Sequence, residues 1–356
     1  MNDWLVTHDF AFSLGGAERV TAVLAEKVLD GAPVHCFGGD PEVLTGLGVK
    51  EVHIRHPRLF RPASYRQASL LLPASTHFRS PIEGNVLASS YAFAHHVAAS
   101  GALVVYCHTP LRQAWSGRQM YLESLPKAAR TLAGRLLNGL RHTDRRRALA
   151  ADAYIANSRA VAERIAHFYG IEPVATVHPP YDPRFRVRAA ERGDHYVWAG
   201  RIVEPYKRLE PLIEAFRGSD RRLLVIGDGR DGPRLRATAP PNVTFVGSLG
   251  TEELAHAYSE ARAVLFPSED DFGIVPIEAM ACGAPVIALG RGGALDTVVA
   301  GETGVYVPEP TPSAIATAID HFERERFDTD RILERAHDFS EERFVETMRD
   351  IVTTYD

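Results

Sequence analysis

A chain of 356 residues is too long for one ordinary domain, and two domains of roughly 170 residues each are expected. Apolar content of 45% suits a globular enzyme, and a net charge of −5 gives no reason to propose nucleic-acid binding. Cys36, Cys107 and Cys282 are odd in number, far apart and lack metal-ligand spacing, which fits reduced, mostly buried thiols in a cytosolic protein.

The start, Met1-Asn2-Asp3-Trp4, lacks the basic-then-apolar layout of a signal peptide. The soft stretch from Asn85 to Cys107 is broken by His95, His96 and several serines, so it is not a membrane span. Short apolar runs then alternate with helical periodicity along the chain. Trp4–Thr7 reads as a strand that leads through Gly15-Gly16 into a helix over about Ala17 to Leu29. Further strands are expected at Val34–Phe37, Val86–Ser89, Leu103–Cys107, Tyr154–Ala156 and Thr176–His178. Pro179-Pro180-Tyr181-Asp182-Pro183 reads as a linker. A second set follows at Tyr196–Ala199, Leu223–Ile226, Val243–Val246, Val264–Phe266, Pro285–Ala288 and Gly304–Val307. The tail, about Glu341 to Thr354, is helical in pattern and is expected to cap one of the two domains.

Such alternation predicts parallel sheets with helices on both faces. The expected fold class is α/β, with two Rossmann-like doubly wound domains that face a cleft. The expected boundaries are 1–180, 181–340 and a C-terminal helix at 341–356, for which both a return to the first domain and a cap on the second stay open. Asn242-Val243-Thr244 is a formal glycosylation sequon, but it opens an expected buried strand and is read as chance.

Residues 112 to 147 stand apart in charge. Arg112, Arg118, Lys127, Arg130, Arg135, Arg141, Arg145, Arg146 and Arg147 oppose only Glu123 and Asp144, so nine minus two gives +7. Leu125, Leu132, Leu136, Leu137 and Leu140 are interleaved at helical spacing. Two readings stay open: a basic amphipathic surface for anionic lipid headgroups, or a solvated helix whose leucines pack on its own domain.

Several constellations carry chemistry. Gly15-Gly16, in the first strand-to-helix turn, permits close approach of a phosphate or sugar. His108, within Cys107-His108-Thr109-Pro110 at a strand's C-terminal end, is placed to hydrogen-bond a sugar hydroxyl or a phosphate. Gly200-Arg201 closes the first strand of the second half, with Lys207 six residues on. Two fixed cations there suit a diphosphate leaving group without a metal. Gly227-Asp228-Gly229-Arg230-Asp231-Gly232 matches a dinucleotide fingerprint but follows the second strand of its domain, so a nicotinamide enzyme is disfavoured. Asp270 in a loop and Glu278 in a helix's first turn flank Phe272-Gly273-Ile274-Val275. They suit a ligand with both phosphates and hydroxyls. Gly290-Arg291-Gly292-Gly293-Ala294 is a second glycine-rich loop of that domain.

Together and in this order, these pieces resemble glycosyltransferase family 4, most specifically from Phe272 to Ala281 and through Gly283-Ala284-Pro285-Val286-Ile287-Ala288. The resemblance implies a GT-B fold and metal-independent transfer from a nucleotide sugar with retention. It implies that Arg201, Lys207 and the Gly200 turn hold the donor diphosphate, and that Glu278 binds ribose hydroxyls. It also implies that Asp270 and the backbone of Phe272, Gly273, Ile274 and Val275 contact the donor sugar. His108 would line the sugar pocket, with Gly15 and Gly16 close to the diphosphate or acceptor. A narrower likeness, carried by Glu269–Pro276, Gly290–Thr297, and Cys107-His108-Thr109-Pro110 with Ala156-Asn157-Ser158-Arg159, is to mannosyltransferases of surface-polysaccharide assembly. It favours GDP-mannose as donor and a glycan or lipid-linked acceptor, with no cofactor or metal, in the cytoplasm or on the cytoplasmic face of a membrane.

One departure stands out. The family pattern is E-x7-E, and Asp270 is about 1.5 Å shorter than Glu. Either the loop sits closer, or Glu269 compensates, or the sugar contact weakens. Two rival functions remain open: a synthase or phosphorylase making a soluble disaccharide, and a nucleotide-sugar-binding homologue with little turnover.

Overall fold

The structure, a computed structural model, describes residues 3–55, 82–123, 125–189 and 191–356. The chain forms two units, Met1–His178 with Phe344–Asp356, and Pro179–Arg343.

The first unit is built on a parallel sheet with seven strands among the described residues. They are β1 (Trp4–Ala11), β2 (Val34–Gly39), β3 (Val52–Ile54), β4 (Asn85–Ser90), β5 (Leu103–Cys107), β6 (Ala153–Ala156) and β7 (Ala175–Thr176), in the spatial order β3-β2-β1-β4-β5-β6-β7. β1 is central and buried along its whole length. It runs four residues beyond the apolar stretch that marks it in the sequence, because His8 and Asp9 are buried polar groups that find partners. The Asp9 carboxylate accepts the backbone N–H groups of Tyr91, Ala92, Phe93 and Ala94, which pins the loop after β4 to β1. The helix Glu341–Thr353 sends Phe344, Met348 and Val352 into the core beside Trp4, Val6, Val34 and Tyr106. Burial of side chains this size stabilises by about 1.5–3 kcal/mol each.

The second unit has a parallel six-stranded sheet. Its strands are β8 (His195–Ala199), β9 (Arg222–Ile226), β10 (Val243–Gly247), β11 (Ala263–Phe266), β12 (Val286–Leu289) and β13 (Gly304–Val307), in the order β10-β9-β8-β11-β12-β13. Successive side chains of β8 alternate between faces. Tyr196 and Trp198 enter one core with Leu212, Ile213 and Phe216, while Val197 and Ala199 enter the other with Val264 and Phe266.

In each sheet the chain winds outward from its first strand and then returns to that strand's other side. The order therefore reverses between β1 and β4, and again between β8 and β11. Doubly wound sheets bind ligands in the crevice beyond the strand ends at such a point.

Two sequence readings need revision. β10 is a half-exposed edge strand, not a buried one. The sequon is instead disfavoured by Asn242 itself, whose side-chain amide donates to the carbonyls of Phe216, Ser219 and Arg221 at 2.9, 3.1 and 2.7 Å. The three cysteines are buried and free. No helix among the described residues is long and apolar enough to cross a membrane.

Candidate active site

At the reversal point of the second unit, the loop after β8 carries Gly200, Arg201 and Lys207. It lies against the loop after β9, joined by Gly200 N–H to Ile226 O at 3.0 Å and Ile202 N–H to Asp228 O at 2.9 Å. A Cβ on Gly227 would lie 2.0 Å from Gly200 O, and one on Gly229 would lie 2.2 Å from Ile202 O. The glycines of the apparent dinucleotide motif thus serve this close backbone pairing. Beyond it, Glu204 is tied in twice: its backbone N–H donates to Asp231 Oδ2 at 2.9 Å, and its carboxylate accepts Leu209 N–H at 2.7 Å. Arg208, at φ 53°, turns the chain into the helix Leu209–Phe216. A left-handed arginine costs about 1 kcal/mol or more and persists where surrounding bonds impose it. Lys207 is held between these anchors, while Arg201 is exposed.

The neighbouring loop, after β11, brings Asp270 to Lys207. Lys207 Nζ donates to Asp270 Oδ2 at 2.5 Å, and the two side chains are only 17% and 15% exposed. The ammonium also lies 5.1 Å from the centre of the Tyr206 ring. The other Asp270 oxygen is buried with no hydrogen-bond partner among the described residues. Glu269 is exposed.

Glycine makes this loop possible. Gly273 sits at φ 79°, where a Cβ would be 2.5 Å from the Phe266 ring. Gly293 N–H donates to Asp270 O at 3.0 Å, and a Cβ there would lie 2.2 Å from Phe272 Cα. The loop from Asp270 to Gly273 therefore nests on the Gly292-Gly293 turn after β12. Phe272 is buried, Ile274 and Val275 are partly so, and the helix Val275–Ala281 carries Glu278 in its first turn at 7% exposure. Burial, and then the Glu278 charge, push the nearby Tyr258 hydroxyl well above its usual pKa.

The first unit assembles its own group of residues at the β1/β4 reversal. Gly15 precedes the helix Gly16–Val23, and a Cβ there would meet Glu18 Oε2 at 2.8 Å. Glu18 Oε1 is 3.7 Å from His8 Nε2. Thr21, on the same helix, contacts His8 Nδ1 at 2.9 Å and Ser89 Oγ at 2.8 Å. Ser89 Oγ in turn contacts His108 Nε2 at 2.8 Å. Gly15, Gly16 and His108 are thus linked through buried side chains that sequence reasoning passed over. Nearby, Asp144 is fully buried and accepts from His96 at 2.7 Å, Trp115 at 2.6 Å and Tyr169 at 2.8 Å, with His95 Nε2 3.2 Å away. Burial alone would raise the Asp144 pKa; the neighbouring His95 and His96 rings overcome this and hold it well below the usual carboxylate range.

A family model described as "Glycosyltransferase Family 4" matches residues 14–185, and one described as "Glycosyl transferases group 1" matches residues 193–324. The chain belongs to glycosyltransferase family 4. Among curated relatives of this family-4 chain is D-inositol 3-phosphate glycosyltransferase 2 of Catenulispora acidiphila. It is 34% identical over 203 residues, covering 48% of this chain and 47% of the relative. A phosphatidyl-myo-inositol mannosyltransferase of Propionibacterium freudenreichii is 31% identical over 213 residues, covering 55% and 54%. The match to this chain thus spans about half the length of these curated relatives. Among solved structures, the Anabaena protein HepE in complex with UDP has a TM-score of 0.69 at 18% identity, covering 98% of this chain and 99% of that one. Sucrose-phosphate synthase from Thermosynechococcus elongatus has a TM-score of 0.71 at 18% identity, covering 98% of both. These likenesses show the GT-B fold for this family-4 chain.

Proposed function

We propose that this protein is a retaining, metal-independent hexosyltransferase that moves a sugar from a nucleotide donor to a hydroxyl of a glycan or lipid-linked acceptor. The observation that carries this reading is the convergence of two loops at the β8/β11 reversal. One supplies Arg201 and Lys207, and the other supplies Asp270, Gly273 and Glu278. Cations suit the diphosphate, and the carboxylate of Glu278 suits ribose hydroxyls. In the reaction, the acceptor oxygen bonds to the anomeric carbon as the bond from that carbon to the phosphate oxygen breaks. The acceptor's proton passes to the departing phosphate on the same face, which preserves configuration. Arg201 and Lys207 stabilise the charge on the nucleoside diphosphate, the role a metal would otherwise fill. Asp270 holds the Lys207 ammonium in place for this, so the shorter acid acts through the lysine as well as toward the sugar.

GDP-mannose is the favoured donor. The support is the likeness of the segments Glu269–Pro276 and Gly290–Thr297 to mannosyltransferases, together with a relative named as a mannosyltransferase. The test is thermal stabilisation across a panel of nucleoside diphosphates and their sugars, followed by transfer assays with the best donor. A ligand at 100 times its dissociation constant adds about 2.7 kcal/mol, enough to rank them. Equal stabilisation by every nucleotide, or none by any, would sink the donor assignment.

A membrane-facing role for the basic segment is supported by the helix Lys127–Ala148. Leu137 and Leu140 are buried in the unit's own core, but Leu132 is 63% exposed and Leu136 42%, with Arg135 exposed beside them. This face suits the headgroup region of an anionic membrane, where a lipid-linked acceptor would reside.

A further inference from the structure

The buried contacts between the first helix and His108 have a direction. Thr21 carries one hydroxyl hydrogen and two lone pairs, as does Ser89, and a carbonyl oxygen only accepts. Thr21 Oγ1 lies 2.8 Å from Ala17 O, so its hydrogen points there. Were it to point elsewhere, two oxygen lone pairs would face each other at that distance. His8 Nδ1 lies 3.2 Å from Ser89 O, so Nδ1 carries a hydrogen, and it is 2.9 Å from Thr21 Oγ1. Thr21 thus accepts from His8. Its remaining lone pair meets Ser89 Oγ at 2.8 Å, and Ser89 must donate across that contact. Ser89 then has only lone pairs left for His108 Nε2, also at 2.8 Å, so that nitrogen must bear the hydrogen. His8, Thr21 and Ser89 are 0% exposed and His108 is 9% exposed, so bulk water is not at hand to reset the order.

We propose that Thr21 and Ser89 are positioning residues that lock His108 as its Nε2–H tautomer, leaving Nδ1 as the ring's hydrogen-bond acceptor. Two carbonyls at the ends of the relay, Ala17 O and Ser89 O, set the polarity. The consequence for function rests on the proposal that His108 serves sugar transfer. A ring locked in this way acts only as an acceptor at Nδ1 and does not donate there, so any group that meets that nitrogen must bring the hydrogen. The relay also couples the helix that follows Gly15-Gly16 to the histidine, so the two parts of the first unit's site share one hydrogen-bond order.

The test is long-range proton–nitrogen NMR of protein carrying nitrogen-15 histidine, which separates the two neutral tautomers by their nitrogen shifts and needs no substrate. His108 is assigned with His108→Gln. The expected wild-type spectrum shows the Nε2–H form in about fivefold excess or more, the bias one net hydrogen bond supplies. In Thr21→Val the Ser89 hydroxyl is released and can donate to His108 Nε2, so the Nδ1–H form should become the major one. Thr21→Ser should restore the wild-type pattern, which a purely structural effect of the valine does not predict. An Nδ1–H form in the wild type, or a Thr21→Val spectrum unchanged at His108, overturns the proposal. If the spectra behave as expected but His108→Gln leaves transfer intact, the tautomer lock stands and the catalytic reading of His108 fails.

Discussion

Lys207 Nζ and Asp270 Oδ2 are 2.5 Å apart, joined from two loops at the one place where the second sheet reverses its strand order. Neither side chain is exposed enough for water to replace the other's charge. Lys207→Ala and Asp270→Asn should therefore each reduce transfer, the first by about 100-fold or more if the ammonium stabilises the leaving diphosphate. The double variant should lose little beyond the worse single one, because residues in direct contact couple by about 0.5–3 kcal/mol. Steady-state rates for the four proteins check this; fully multiplicative losses would show that the two act separately.

Gly293→Ala should disable donor binding. Its Cβ would lie 2.2 Å from Phe272 Cα, and backbone cannot yield as a side-chain tip does. The expected destabilisation is about 1–3 kcal/mol, with a larger loss in nucleotide affinity than the change in Tm explains. Calorimetric titration with a nucleoside diphosphate, beside a thermal melt, separates the two effects.

Acid should weaken the first unit through Asp144 and His96. The hydrogen-bonded Asp144 is held below its usual pKa against its burial, and burial, then neighbouring His95, lowers that of His96. For both groups the unfolded chain binds protons at higher pH than the folded one. Their contribution is therefore present above the unfolded values, near 6.5 and 3.8, and is lost as pH falls below them. Asp144→Ala should remove the part lost below about pH 3.8 but keep the part linked to His96, whose pKa Asp144 raises, and it should cost about 3–5 kcal/mol at neutral pH, since it strips the buried donors of His96, Trp115 and Tyr169 of their acceptor. Urea melts from pH 7 down to about pH 2 measure both slopes, the His96 part above pH 4 and the Asp144 part below it.

Asn242→Asp should destabilise by about 1–3 kcal/mol. It replaces an amide that donates to three carbonyls with a carboxylate that can only repel them. Asn242→Asp melting at the same temperature as wild type would contradict that role.

Leu132→Glu with Leu136→Glu should abolish binding to vesicles rich in anionic lipid and leave Tm nearly unchanged, because both leucines are already exposed. Flotation with and without anionic lipid reads the effect; equal binding by the variant would remove this helix from the membrane reading.

The sheets were legible because fully buried parallel strands are continuous apolar runs, as in Leu103–Cys107 and Val286–Leu289. Val52–Ile54 was missed because an edge strand of three residues, two of them half-buried around an exposed His53, carries no such run. The end of β1 was missed because His8 and Asp9 look like interruptions until their partners, far along the chain, are in place. Residue types marked Lys207, Asp270, Gly273 and Glu278 as candidates, but not the bond between the first two, which are 63 positions apart. Ser89 and Thr21 left no mark at all: a hydroxyl beside apolar residues has the same appearance in the sequence whether it packs or relays. The glycines at 227 and 229 were visible as a pattern, yet their role, backbone pairing with the neighbouring loop, depends on strand order.

The helix at Glu341–Thr353 also sets a timetable. Synthesis delivers the seven strands of the first sheet early, but Phe344, Met348 and Val352, which fill part of that core, are translated after the whole second unit. On the ribosome, the second unit can close while the first still exposes apolar surface around Trp4, Val6 and Tyr106. A nascent chain stalled before Phe344 should thus be the species most prone to chaperone capture and proteolysis, and the unit made first should be the one finished last.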